Sequence, residues 1–211
     1  METKNTDRIK AIAFDLGRVL FDFDFMAGLD KIKDRMTLPP EKIIDAMLKE
    51  HFTDDFERGL ISPEEFFRRF KAKTGLRLSY DDFVPVWCDI FTLKEDTLHL
   101  VRSLKPDYKL LLISNINELH WRFLAERFPE VFALFDELIL SFEVKEIKPS
   151  PKIYDILLAK ARCTREELVY IDDRADLVGP AREQGLQAIR FESAQQCSKE
   201  LEAFGCVALS S

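Results

Sequence analysis

No apolar run in the sequence approaches the roughly 20 residues that a membrane-spanning helix requires. The opening METKNTDRIK is polar and lacks the apolar stretch of a secretory signal. These absences argue against a helical membrane anchor, and a cytoplasmic protein is the expectation. Cysteine is scarce as well, with Cys88, Cys163, Cys197 and Cys206 as the full complement. None forms a CxxC pair or stands at metal-ligand spacing from His51, His99 or His120, so they read as reduced thiols. Positive charge is in short supply: Lys and Arg total 31 against 38 Asp and Glu, a formal net charge of -7. With the two signs mixed along the chain, no basic stripe exists to neutralise a phosphate backbone, and nucleic acid is not an expected partner. Only 7 Gly occur in 211 residues, with no internal repeat and no low-complexity segment, which argues against fibrous and disordered classes.

What is present is a composition for burial, 46% apolar with 18 Phe. A chain of this length suits one α/β domain, or a core with a small insertion. Short apolar runs bounded by polar residues occur at 9–15 (IKAIAFD), 109–114 (KLLLIS), 137–141 (ELILS), 168–171 (LVYI) and 187–191 (QAIRF). Helical patterns such as 151–162 and 176–184 separate the later ones. The alternation predicts βαβ units and a Rossmann-like parallel sheet covered by helices on both faces. Open sheets of this kind bind ligands at the carboxyl ends of their strands. Asp15, Ser114 and the pair Asp172-Asp173 fall at those ends, on three different strands.

Between the first two of these strands lie about eighty residues with no convincing strand. Helix starts appear there at Leu38-Pro39-Pro40-Glu41 and Ser62-Pro63-Glu64-Glu65. The expected organisation is a core of residues 1–20 and 98–211 with an inserted α-helical cap at 21–97. Phe52, Phe56, Phe66, Phe67 and Phe70 are expected to hold the cap helices together rather than to form a ligand box.

Two adjacent carboxylates leaving an apolar strand, Asp172 and Asp173, repel each other unless a cation or extra hydrogen bonds compensate. Oxygen-only ligands favour Mg²⁺. With Asp15 they bring three negative charges to one crevice, which a divalent ion and one lysine would neutralise. Lys148, in Lys148-Pro149-Ser150-Pro151, has the fixed backbone that suits a positioned cation; a solvated loop lysine is the plainer alternative. Ser114-Asn115 offers a hydroxyl and backbone N–H groups for phosphoryl oxygens, although Ser114 also suits a helix N-cap before residues 117–128.

The segments AIAFDLGRVLFD (11–22), LLLISNIN (110–117), SFEVKEIKPSPKIY (141–154) and LVYIDDRADLVGPAREQG (168–185) resemble, in this order, the four motifs of the haloacid dehalogenase superfamily. The FERGLISPEEFF stretch and the Asp-Asp form of the last motif resemble the branch with a small helical cap. The D-L-G start resembles bacterial phosphatases acting on α-glucose 1-phosphate and related sugar phosphates. The resemblance implies a Mg²⁺-dependent phosphatase for a small phosphorylated metabolite, in which Asp15 attacks the phosphoryl group and forms an aspartyl-phosphate that water hydrolyses. It also implies that Ser114 and Lys148 stabilise the phosphoryl oxygens. Asp173 and Asp172 would hold Mg²⁺ with Asp15 and the Gly17 carbonyl.

The sequence departs from that pattern where most members carry a general-acid Asp two residues after the nucleophile; here the residue is Gly17. Losing such an acid costs on the order of 10²–10⁴-fold in rate, least for good leaving groups such as anomeric or acyl phosphates. Lys145 stands where relatives often have Gly, and Leu177 where they often have Asp or Asn, with Asp176 one residue away. Arg18 is a candidate substrate contact, with a surface ion pair as the alternative, and Arg58 is a candidate from the cap. Two other functions remain open at this stage. One is a non-catalytic relative that only binds its ligand; the other is a 2-haloacid dehalogenase, which needs no cation. Oligomeric state is open, since no heptad seam is present.

Overall fold

The apolar run that follows Lys10 is paired on both sides. In the computed structural model, which describes residues 9–49 and 53–206, β1 (Ala11–Phe14) lies between β4 (Lys109–Ser114) and β6 (Leu168–Asp172). With β5 (Glu137–Leu140) and β7 (Gln187–Arg190) these form a sheet of order β5-β4-β1-β6-β7, parallel throughout. Phe14 pairs with both Leu112 and Ile171, so Asp15, Ser114 and Asp172 leave the sheet at the same edge.

Both faces of the strands are apolar because both are covered. On one face Ile12, Phe14, Leu110, Leu112, Val169 and Ile171 pack with α6 (Glu95–Leu104), α7 (Glu118–Arg127) and α12 (Ala194–Ala203). On the other, Ala11, Ala13, Leu111, Ile113 and Tyr170 pack with α10 (Pro151–Ala161) and α11 (Ala175–Glu183). Two single turns, α8 (Pro129–Phe132) and α9 (Ser141–Val144), flank β5. The sequence pattern places helix 151–162 one residue long: Arg162 turns left-handed at φ 57 and ends it.

A correction to the sequence reading lies in the segment where no strand was expected. There β2 (Phe21–Phe23) and β3 (Phe91–Leu93) form an antiparallel ribbon, Phe21 opposite Leu93 and Phe23 opposite Phe91. Three residues are too few for an alternating pattern to show in sequence. Between the two strands lie α1 (Phe25–Asp30), α2 (Pro40–Lys49), α3 (Asp54–Glu57), α4 (Pro63–Thr74) and α5 (Tyr80–Cys88). In α4 the start is set by Ser62, whose hydroxyl accepts from the Glu65 N–H, and by Pro63 in the first turn. Its end is set by Gly75 at φ 66.

These helices share an apolar cluster of their own that includes Phe56, Phe66, Phe70, Phe83 and Trp87, with Leu119 of α7 joining it. Phe56 stacks on Phe66 at 4.4 Å between ring centres, and Phe70 meets Phe83 at 5.0 Å. Phe52 lies outside the described residues. Truncating Phe70 to alanine is expected to cost about 3–5 kcal/mol of unfolding free energy, measurable by urea titration. Among the described residues no helix is long and apolar enough to cross a membrane.

Candidate active site

Asp15 is the first residue beyond β1, held there by its N–H, which donates to the Ile171 carbonyl at 2.9 Å. Lys148 reaches it from the loop between α9 and α10. The Lys148 Nζ lies 2.7 Å from Asp15 Oδ1 and 2.6 Å from Asp172 Oδ2, and donates to the Ile113 carbonyl at 3.2 Å. All three side chains are buried. Asn115 fixes the lysine backbone at two points: its Oδ1 accepts from the Lys148 N–H at 2.8 Å, and its Nδ2 donates to the Lys148 carbonyl at 3.2 Å. Asn115 thereby clamps the loop that aims the lysine.

Asp172 accepts from Lys148, from the Tyr170 hydroxyl and, through Oδ1, from the Arg174 N–H at 2.9 Å. Asp173 beside it is half-buried. Oxygens of Asp15, Asp172 and Asp173 come within 4.8 Å of one another. Burial pushes the Asp15 carboxyl up to about 7, against the opposing charge of Lys148. Burial also disfavours the Lys148 charge, but Asp15 and Asp172 hold its pKa above the ordinary lysine value. Asp173 is raised by burial and by the charge of Asp172. Three carboxylates against one ammonium leave a deficit of two positive charges, and every donor is a hard oxygen. The residues present fit Mg²⁺.

A cavity of about 340 Å³ adjoins this cluster through the neighbouring residues Leu16, Gly17 and Arg174. Gly17, Ser114, Asn115 and Asn117 line its floor, while Phe23, Phe25, Ile44, Met47, Trp87 and Phe91 make an apolar wall, and Thr53, Asp54, Glu57, His120 and Arg174 add polar groups. Ser114 does not cap α7. That task falls to Asn117, whose Oδ1 accepts from the His120 N–H at 3.0 Å. The His120 ring is held neutral, pushed down to about 4 by burial, with its Nε2 3.1 Å from the Trp87 carbonyl.

The remaining sequence candidates stand elsewhere. Arg18 is exposed at φ 59; its guanidinium lies 4.3 Å from the Phe23 ring centre and 3.5 Å from Asp22, a surface ion pair outside the cavity. Lys145 sits in a left-handed turn at φ 61, a conformation suited to glycine, and its Nζ donates to the Gly59 carbonyl at 2.6 Å. Leu177 is buried, and Asp176 pairs with Arg174. Arg58 does not line the cavity, whereas its neighbour Glu57 does.

Sequence reasoning missed Tyr170, Arg174, Ser141 and Glu57. Tyr170 carried a signal, since alternation along β6 puts it on the same face as Asp172. Glu57 lies in the FERGLISPEEFF stretch that resembles the small-cap branch, but its approach to the cavity depends on tertiary packing that the stretch does not reveal. Burial pushes the Glu57 carboxyl from 4.5 up to about 7. A carboxyl raised by folding binds its proton more tightly in the native state, so its contribution to stability falls as pH rises through that window. Glu57→Gln is therefore expected to gain melting temperature relative to wild type between pH 4.5 and 7, as read by paired thermal melts.

A family model described as haloacid dehalogenase-like hydrolase matches residues 9–184. A D-ribitol-5-phosphate phosphatase from Bacteroides thetaiotaomicron is 24% identical over 199 residues, covering 92% of this chain and 97% of that protein. Among solved structures, a HAD family enzyme from the same organism superposes with a TM-score of 0.81 at 26% identity, covering 92% of this chain and 98% of that one. The same enzyme in complex with magnesium and inorganic phosphate superposes at 0.75, covering 88% and 95%. An L-2-haloacid dehalogenase from Xanthobacter autotrophicus shares the fold, with a TM-score of 0.63 at 20% identity over 92% of this chain and 83% of its own. With its sheet edge, its carboxylate cluster and its buried lysine, the chain belongs to the haloacid dehalogenase-like hydrolase family.

Proposed function

We propose that this hydrolase is a Mg²⁺-dependent phosphatase that cleaves a small sugar or polyol phosphate through an aspartyl-phosphate on Asp15. The observation that carries the reading is the buried Lys148 bridging Asp15 and Asp172, with Asp173 beside them. Lys148 holds charge where phosphoryl oxygens would gather, and Ser114 offers its hydroxyl from the end of β4. Asp15, Asp172 and Asp173, with the Gly17 carbonyl, would hold the metal. When bound, Mg²⁺ supplies the positive charge that lets a phosphate dianion approach an anionic nucleophile. Asp15 then attacks phosphorus in line, and water later releases phosphate and restores the carboxylate.

The segment at 21–97 acts in this reading as a cap that closes over the substrate. Its separate apolar cluster and its supply of much of the cavity wall support that role. The cavity suits a pentose- or hexose-sized group, with aromatic faces for its C–H surfaces and Asn117, Thr53 and Asp54 for its hydroxyls. The relative named for ribitol 5-phosphate points to a polyol phosphate, and the D-L-G motif to an anomeric sugar phosphate. Ranking kcat/KM over a panel of both kinds, with p-nitrophenyl phosphate as reference, separates them. A best substrate with no sugar or polyol part would overturn the substrate assignment.

The carboxylate pair argues against a 2-haloacid dehalogenase, which has no use for a cation at that position. A non-catalytic binding role draws support from Gly17 alone, and phosphate release by the wild type excludes it.

A further inference from the structure

The mechanism so far leaves the departing oxygen without a proton source. Gly17 has no side chain to offer, and a Cβ there would stand 3.0 Å from Cε1 of Phe23, so an aromatic ring fills the space into which an acid at this position would extend. A proton donor must come from another wall of the cavity.

Glu57, the last residue of α3, faces the cavity that Gly17, Ser114 and Asn115 also line. Its position is fixed by contacts to the sheet edge. The Ser141 hydroxyl donates to the Glu57 carbonyl at 2.6 Å and accepts from the Ile116 N–H at 2.9 Å, which ties the Glu57 backbone to the loop that follows Ser114. Two residues on, Gly59 adopts φ 61 and lies so close to the Phe142 carbonyl that a Cβ would meet its oxygen at 2.3 Å. Only glycine permits that approach, and Lys145 secures it by donating to the Gly59 carbonyl. The Thr53 hydroxyl hydrogen-bonds the Glu57 carboxyl itself. A glutamate whose backbone is tied to the loop after β4 and whose carboxyl is held by Thr53 is positioned for chemistry as well as for packing.

Resting on the phosphatase reading, we propose that Glu57 is the general acid and base that replaces the one absent at position 17. In the first half-reaction an Asp15 oxygen bonds to phosphorus while the ester P–O bond breaks; its electron pair stays on the alcohol oxygen, which takes the Glu57 proton and leaves as neutral alcohol. In the second, the Glu57 carboxylate takes a proton from water as the water oxygen bonds to phosphorus. The bond from phosphorus to Asp15 breaks, which regenerates the aspartate, protonated Glu57 and inorganic phosphate. Burial supports the assignment by lifting Glu57 to about 7, with Asp54 adding to the rise and Thr53 and Arg174 opposing it, so both protonation states are populated near neutrality.

The test compares wild type, Glu57→Gln and Glu57→Asp with Mg²⁺ on a polyol phosphate and on p-nitrophenyl phosphate, with circular dichroism to verify folding. Glu57→Gln is expected to lose on the order of 10²–10⁴-fold in kcat/KM on the polyol phosphate, whose alkoxide needs a proton, and much less on the nitrophenyl ester. On that ester it is also expected to release a burst of p-nitrophenolate equal to the enzyme concentration, because the aspartyl-phosphate forms but waits for its base. Glu57→Asp should recover part of the polyol activity. Equal losses on both substrates without a burst, a rise in KM alone, or no loss at all would overturn the assignment and leave the phosphatase reading standing. Failure of the wild type to release phosphate from either compound would overturn both.

Discussion

Asp15→Asn is expected to lower phosphate release by roughly 10⁴-fold or more while leaving the protein folded. The amide matches the carboxylate in shape but lacks the charge and the nucleophilic oxygen that in-line attack requires. The fold should tolerate the change because the ionised Asp15 is costly in its setting: burial already lifts the carboxyl to about 7 in spite of Lys148. The expected pair of results is a melting temperature near that of wild type and a turnover rate at background. A variant that unfolds would assign Asp15 a structural part; one that still turns over would remove it as the nucleophile.

Replacing Lys148 with methionine should have a double effect. The ammonium bridges Asp15 and Asp172 at 2.7 and 2.6 Å with all three groups buried, and its loss leaves two carboxylates facing each other without compensation. Breaking a buried pair in this way typically costs about 3–5 kcal/mol, here read by chemical denaturation in EDTA. Adding Mg²⁺ should restore part of that stability, since the cation replaces the missing positive charge and binds only the folded cluster. Turnover should remain about 10²–10³-fold below wild type even at saturating Mg²⁺, because the charge aimed at the phosphoryl oxygens is gone. Full recovery by metal would mean that Lys148 serves only to balance the carboxylates.

Much of the core was legible in the sequence for a simple reason. Strands buried on both faces read as unbroken apolar runs, and a carboxylate at the end of such a run stands out, as Asp15 and Asp172-Asp173 do. The Asn115 clamp on Lys148 was only half legible: the residue was visible as a phosphate-loop candidate, but its two hydrogen bonds join segments 33 residues apart. The β2–β3 ribbon was hidden because each strand is three residues long and owes its stability to a partner far along the chain. Glu57 was hidden for a related reason. In the sequence it is one acid in a charged stretch, and only the Ser141 hydroxyl, the close approach at Gly59 and the cavity beside Gly17 distinguish it. Arg18, adjacent to the glycine at the strand end, had the better claim by position, yet its left-handed backbone turns it outward onto Phe23 and Asp22.

The central claim, a covalent intermediate on Asp15 formed with Mg²⁺, is tested most directly by acid-quenching the enzyme during turnover of a ³²P-labelled sugar or polyol phosphate and counting label on the precipitated protein. The account predicts Mg²⁺-dependent labelling that hydroxylamine removes, as it does from an acyl phosphate, and none in EDTA or in Asp15→Asn. Turnover that continues in Asp15→Asn, or in EDTA, without any labelled protein would contradict it.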